Sequence, residues 1–343
     1  MSDGTKITPR PNRTFATEYF DMKILVTGGA GYLGSTLVPL LLNAGHSVRV
    51  LDTLNHGGDP LLAAWSDPAF DFRRGDIRDR SAIASALSGM GAVVHLAAVV
   101  GDPACARDPA LAGSVNLEAS LSLIEESRRS GVQRFIFAST CSNYGKMKDR
   151  DHFVDEESEL NPVSLYAETK VAVERFLLAG GNGPTWFPTM LRFATIFGTS
   201  PRMRFDLTVN EFTMEMLVKK RLVIFGEQFW RPYVHVRDAA RAIKLVLESA
   251  SEKVAGRVFN VGATDQNFQK QQLVDFIRPH APDAMVEFVH KSEDPRDYRV
   301  SFIRISEQLG FHITRTVSEG IAEVSRLVRE NVINDFENRS YRN

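Results

Sequence analysis

A chain of 343 residues with 41 Lys and Arg against 42 Asp and Glu has a formal charge of −1, which is no basis for holding nucleic acid or an anionic membrane. No apolar run reaches the ~20 residues that span a bilayer, and the two cysteines, Cys105 and Cys141, make no disulfide framework, so a reducing cytoplasm is expected. The length allows one large domain or two closely joined ones.

Residues 1–21 are polar, lack the apolar core of a signal peptide, and read as an arm before the first strand. In KILVTGGAGYLG, residues 23–34, an apolar run ending at Thr27 predicts a buried strand. Gly28, Gly31 and Gly34 follow, and residues 35–43 carry Leu37, Leu40 and Leu41 at helical spacing. Strand, glycine turn and helix in this order form the dinucleotide-binding fingerprint. Gly28 allows the tight turn, Gly31 the approach of a pyrophosphate, and Gly34 close packing of helix on strand. A second apolar run, 47–51, ends at Asp52, placed to take the adenosine ribose hydroxyls.

Further elements are predicted in alternation. A short helix around 61–65 precedes a strand at 70–73, which leads to Gly75 and Asp76. A helix over 81–87 and a strand over 92–96 come next; the strand ends in Ala97 and Ala98, small enough for backbone to lie against a ligand. An amphipathic helix over 113–130 leads to a strand at 135–138. A helix then runs from Tyr166 to Leu178, before a strand at 189–193. Strands alternating with helices predict an α/β, doubly wound parallel sheet of Rossmann type, with ligands at the strands' carboxyl ends.

Beyond residue 193 the alternation fades. Helices are predicted over 207–219, from Asp238 as cap to Glu248, over 269–278 and over 318–330. Strands are predicted at 233–236, 258–261 and 285–289. The expected organisation is a dinucleotide-binding domain over 22–190 with returns at about 231–262. Residues 191–230 and 263–343 would form a smaller interleaved substrate-binding lobe.

In YAETK, Tyr166 and Lys170 lie one helical turn apart on one face. A tyrosine works as a base near neutrality only if its pKa falls from about 10 toward 7, which takes about 4 kcal/mol. An ammonium about 4 Å away in an effective dielectric near 20 supplies roughly that much. Alone, such a pair is usually a surface contact; after a dinucleotide fingerprint and a strand ending in Ser139 and Thr140 it reads as a proton-transfer unit.

These segments, with GDIRD at 75–79, VVHLAA at 93–98, Asn116, FASTCSNYG at 137–145, LRFATIFG at 191–198, RPYVHVRD at 231–238, FNVG at 259–262 and DPRDYRVS at 294–301, resemble the extended short-chain dehydrogenase/reductases. Within them the resemblance is to the NAD-dependent nucleotide-sugar epimerase/dehydratase group, and it runs from Lys23 to about Arg326. It implies Tyr166 as the base for a sugar hydroxyl and Lys170 as the group that holds the nicotinamide ribose and acidifies the phenol. Thr140 would hydrogen-bond the reacting oxygen. Asp52 would clamp the ribose of NAD, with Gly28, Gly31, Tyr32 and Leu33 at the phosphates, Asp76 and Ile77 at adenine, and Leu96, Ala97 and Ala98 along the cofactor. Asn210, Arg231 and Arg296 would grip the diphosphate of a nucleotide sugar. The resemblance also implies a homodimer through the helices 113–130 and 166–178.

Departures from the group's pattern narrow the reaction. Its dehydratases place Asp-Glu after the catalytic Thr, and its decarboxylases keep the Glu; here Cys141 and Ser142 stand there. Asp155, Glu156 and Glu157 are expected to be solvated loop charges. Thr195 replaces the usual Asn of the LRxxNxxG segment, a departure from the galactose-type 4-epimerases. The expectation is therefore epimerisation, most simply at carbon 4 through a transient keto sugar. The alternatives are a 4-ketoreductase or dehydrogenase, a 3,5-epimerase using Cys141 as acid/base with Cys105 lining the same pocket, and a non-catalytic NAD sensor. Cys141 also has a bland reading as a small buried filler.

Overall fold

The computed structural model describes residues 21–146, 152–181, 183–292, 294 and 296–343; all but the last residue of the expected N-terminal arm lies outside them. The strands are β1 (Lys23–Thr27), β2 (Ser47–Asp52), β3 (Phe70–Arg74), β4 (Ala92–His95), β5 (Arg134–Thr140), β6 (Phe187–Phe193), β7 (Thr195–Phe197), β8 (Arg221–Phe225), β9 (Trp230–His235), β10 (Arg257–Val261), β11 (Asn267–Gln269) and β12 (Met285–Val289). Seven of them form one sheet in the order β10-β6-β5-β4-β1-β2-β3, and every neighbouring pair is parallel. The chain lays down β1 to β3 outward in one direction and resumes with β4 on the other side of β1. That reversal opens a crevice beyond the carboxyl ends of β1 and β4.

Strand alternation explains both faces of the sheet. Ile24 and Val26 point to one side, where they meet Val48, Val50, Leu37, Leu41 and the helix Val236–Glu248. Leu25 points to the other, against Leu51, Val93, Phe135, Ile83 and Leu123. A third cluster joins Phe197, Phe205, Val209, Tyr233, Leu273 and Ile321. It binds the small sheet β11-β9-β7 to the helices Thr208–Met214, Lys270–Ile277 and Val317–Arg329. No helix among the described residues is long and apolar enough to cross a membrane.

Several expectations need correction. The return over 231–262 reaches the main sheet only at β10, beside β6, while β9 pairs with β7 and β11, and β8, which pairs with β12, falls where no strand is predicted. Asp238 is not a cap: His235 accepts from the Arg237 N–H, while Asp238 is buried, takes the N–H groups of Thr314 and Arg315, and pairs with Arg241. The helix over 113–130 begins in wider, π-type turns at Gly113–Ala119 before the regular stretch Ser120–Arg129.

A buried polar chain ties the two strands that flank the crevice. His95 is 1% exposed; its Nδ1 lies 2.8 Å from Thr27 Oγ1 and its Nε2 2.9 Å from Ser120 Oγ. Ser120 Oγ donates to Asn116 O, and Thr27 Oγ1 accepts from the Ala97 N–H, so a neutral ring bearing its proton on Nε2 satisfies every partner. Burial lowers the His95 pKa to about 3. As pH falls from about 6.5, the unfolded chain takes up a proton that the native ring refuses, and stability drops by about 1.4 kcal/mol per unit from this residue. Denaturant titrations between pH 6 and 4 check this: His95→Gln is expected to flatten the slope by about that amount, and an unchanged slope would contradict it.

Candidate functional site

The crevice is a cavity of about 950 Å³. Gly28 turns at φ +74°, and a Cβ there would lie 2.7 Å from the Ala97 nitrogen, so the turn after β1 passes directly against the chain after β4. A Cβ on Gly34 would strike the Gly28 carbonyl. Asp52 ends β2 with both oxygens engaged: Oδ2 accepts from the Ala30 N–H at 3.0 Å and Oδ1 from the Leu54 N–H at 2.8 Å. Leu54 takes a left-handed φ of 61° to allow this. Gly31, Tyr32, Leu33, Ile77, Leu96, Ala97 and Ala98 line the cavity with them. The Tyr32 hydroxyl turns away and donates to Gly198 O. Asp76 also lines it, paired at 2.6 Å with Arg78, whose hydrogen bond holds the carboxyl below the usual range.

Tyr166 sits in the first turn of the helix Leu165–Ala179. Ser164 caps that helix, accepting from the Ala167 N–H while donating to Asp102 at 2.7 Å. Tyr166, Lys170 and Thr140 line one stretch of the cavity. Lys170 is 4% exposed; its Nζ donates to Ala138 O at 2.8 Å and lies 5.8 Å from the centre of the Tyr166 ring. Burial lowers its pKa to about 8. This corrects the expectation of an acidified phenol. Among the protein's own groups burial dominates and pushes the Tyr166 pKa up, while Lys170 donates one N–H to the Ala138 carbonyl.

The structure also corrects the role given to Cys141. Its side chain is 1% exposed and packs in the core, with Sγ 3.2 Å from Arg192 O. Burial raises its pKa well above the usual thiol value, which disfavours the thiolate, and Cys141 is not among the residues that line the cavity. The short helix Cys141–Tyr144 turns Ser142 toward the cavity instead, 3.4 Å from the Tyr298 hydroxyl. Cys105 is likewise buried, donating to Val99 O. Cys141→Ala is accordingly expected to keep kcat within about twofold and to cost about 1 kcal/mol of stability; a hundredfold loss of turnover would restore the thiol to the mechanism.

Asn210 is corrected too. It is fully buried behind the cavity wall, accepting from the Gly198 N–H at 2.9 Å and donating to Arg204 O at 2.9 Å, so its amide braces backbone. Glu156, expected in solvent, is buried and accepts from the Asn260 N–H at 2.7 Å.

Arg231 and Arg296 do reach the cavity. Arg231 pairs with Asp294 at 2.8 Å, Lys270 stands 3.6 Å from the same carboxylate, and Arg296 pairs with Asp102 at 2.9 Å. Three cations thus share two carboxylates on this wall. Lys270, Asp102 and Tyr298 join the site although the sequence does not single them out: Tyr298 lies inside DPRDYRVS, and Lys270 carries no local signal. Arg202 and Arg204 also line the cavity; their only trace in the sequence is a PRMR run soon after Gly198. Among the described residues no group of His, Cys, Asp or Glu side chains is arranged to hold a metal.

The geometry has clear counterparts. The dTDP-glucose 4,6-dehydratase of Streptomyces niveus is 30% identical over 332 residues, covering 90% of this chain and 94% of that protein. The UDP-glucose 4-epimerase of Thermus thermophilus, solved in complex with NAD, superposes with a TM-score of 0.77 at 27% identity, covering 90% of this chain and 99% of that one. The UDP-glucose 4-epimerase of Thermotoga maritima, solved with UDP-glucose, gives 0.80 at 28% identity, covering 91% and 100%. Residues 24–262 match the model of the NAD dependent epimerase/dehydratase family. With the parallel sheet, the glycine turn and the Thr140, Tyr166 and Lys170 wall, that match makes the chain a member of the NAD dependent epimerase/dehydratase family.

Proposed function

We propose that the protein binds NAD and epimerises a nucleotide-diphosphate sugar, most simply at carbon 4. The residues present fit the dinucleotide: the turn at Gly28 leaves no room for a Cβ, and Asp52 is locked at the end of β2 with its charge facing the cavity wall. That charge disfavours a ribose 2′-phosphate. NAD would supply a reversible hydride acceptor. Tyr166 would take and return the proton of the reacting hydroxyl, Thr140 would hold that oxygen by a hydrogen bond, and Lys170 would stabilise the phenolate. Arg231 and Arg296, with Lys270, would hold the diphosphate. Guanidinium groups suit that task because they present paired donors to phosphate oxygens.

The observation that carries this reading over dehydration is the placement of the two residues after Thr140. Cys141 faces the core and Ser142 offers a hydroxyl, so neither position supplies the acid and base that elimination of water requires. The presence of Tyr166 and Lys170 on one cavity wall argues against a sensor that has lost catalysis.

The test is to incubate the purified protein and NAD with UDP-glucose or dTDP-glucose and follow the products by mass and by NMR. A product of unchanged mass with carbon 4 inverted supports the proposal. Loss of one water would show a dehydratase. Stoichiometric formation of NADH with release of a keto sugar would show a dehydrogenase, and either result overturns the reading.

A further inference from the structure

The segment after β7 crosses the first turn of the helix Gly34–Asn43, where a dinucleotide's phosphates are drawn. Ser200 Oγ donates to Tyr32 O at 2.6 Å and lies 3.0 Å from Ser35 Oγ, and the Arg202 N–H donates to Ser35 Oγ at 3.3 Å. Asn210 fixes the same segment from behind through Gly198 and Arg204. Two guanidinium groups on it line the cavity. Arg204 is paired through two nitrogens with Asp206, at 2.9 and 2.8 Å.

Arg202 differs. It is 4% exposed, yet among the described residues no carboxylate pairs with it. Its Nη2 donates to Arg342 O at 3.0 Å and to Asn343 Oδ1 at 2.8 Å, and its Nε is buried without a partner. Burial lowers its pKa to about 10. A cation held dry with no carboxylate bonded to it is a binding element for an anion, and a guanidinium fork matches a phosphate in particular.

We propose that Arg202, assisted by Arg204, forms a cationic strap that closes the 198–206 segment on the dinucleotide's pyrophosphate and slows release of the cofactor. The inference rests on the reading of this cavity as an NAD site. Its consequence suits that reading, because an epimerase must return hydride from the same cofactor molecule that accepted it. The pyrophosphate is favoured over a ribose 2′-phosphate because Asp52 shares the wall.

Calorimetric titration of the full chain with NAD, NADP and adenosine tests it, together with the rate of NAD release after rapid dilution. Arg202→Met is expected to raise the NAD Kd and the release rate about tenfold or more, to leave adenosine affinity unchanged, and to be partly rescued by Arg202→Lys. Arg204→Met should act in the same direction. Equal loss of NAD and adenosine affinity would mean a structural role and overturn the strap. So would unchanged NAD affinity, or a loss confined to NADP. Failure of the unmodified protein to bind NAD would instead overturn the functional reading, and the strap with it.

Discussion

Replacing Tyr166 with Phe is expected to lower kcat by about 10²- to 10⁴-fold, the range spanned by a positioned general acid–base group, while NAD affinity stays within about twofold. The ring would remain in the first turn of the helix Leu165–Ala179, beside Lys170 and behind the Ser164 cap, so only the hydroxyl is lost. Steady-state turnover and an NAD titration on the same sample separate the two effects. Because burial raises the phenol and lowers Lys170 to about 8, the protein's own groups leave Lys170 as the side of the pair that titrates near neutrality. In the free enzyme its ammonium is lost above that pH, and with it the charge that favours a phenolate. The profile of kcat/KM, which reports free-enzyme groups, is therefore expected to decline above about pH 8. A variant that retained turnover within threefold would remove Tyr166 from the chemistry.

What could be read from the residues was whatever depends on neighbours in sequence. The glycine turn, the end of β2 at Asp52 and the Tyr166–Lys170 spacing are local, and alternation along β1 assigns Ile24, Leu25 and Val26 to opposite faces without reference to the rest of the chain. Cys141 defeated that logic because β5 stops at Thr140 and the next residues wind into a tight helix, so the side that each faces is no longer set by a period of two. Asn210 is expected at the diphosphate only through the family resemblance. Only the fold shows that its amide is consumed by Gly198 and Arg204. Lys270 and Asp102 come to the cavity from segments far apart in sequence, and nothing near them announces that meeting, whereas Tyr298 lies inside the DPRDYRVS motif but carries no sign there that its ring faces the site.

Arg192→Met is expected to cost about 3–5 kcal/mol, the penalty for stranding a buried charge. Behind Thr140, the Glu174 carboxylate and the Arg192 guanidinium are 1% and 4% exposed and 2.7 Å apart. Glu174 also accepts from Ser139 Oγ and from Asn143 Nδ2, the latter at 2.9 Å. Arg192 donates to Tyr144, whose hydroxyl donates to Asn260 on β10. The network therefore joins β5, β6, β10 and the helix that carries Lys170 one turn before Glu174. Removing the guanidinium leaves an anion with only neutral donors in a dry site. Adding Glu174→Gln removes the anion as well, and the amide oxygen can still accept from Ser139 and Asn143. Denaturant midpoints should therefore show the double variant more stable than Arg192→Met alone. If the two substitutions instead added their separate costs, the pair would be a bystander, and the positioning of Thr140 and Lys170 would have to be ascribed to apolar packing around Phe137 and Val173.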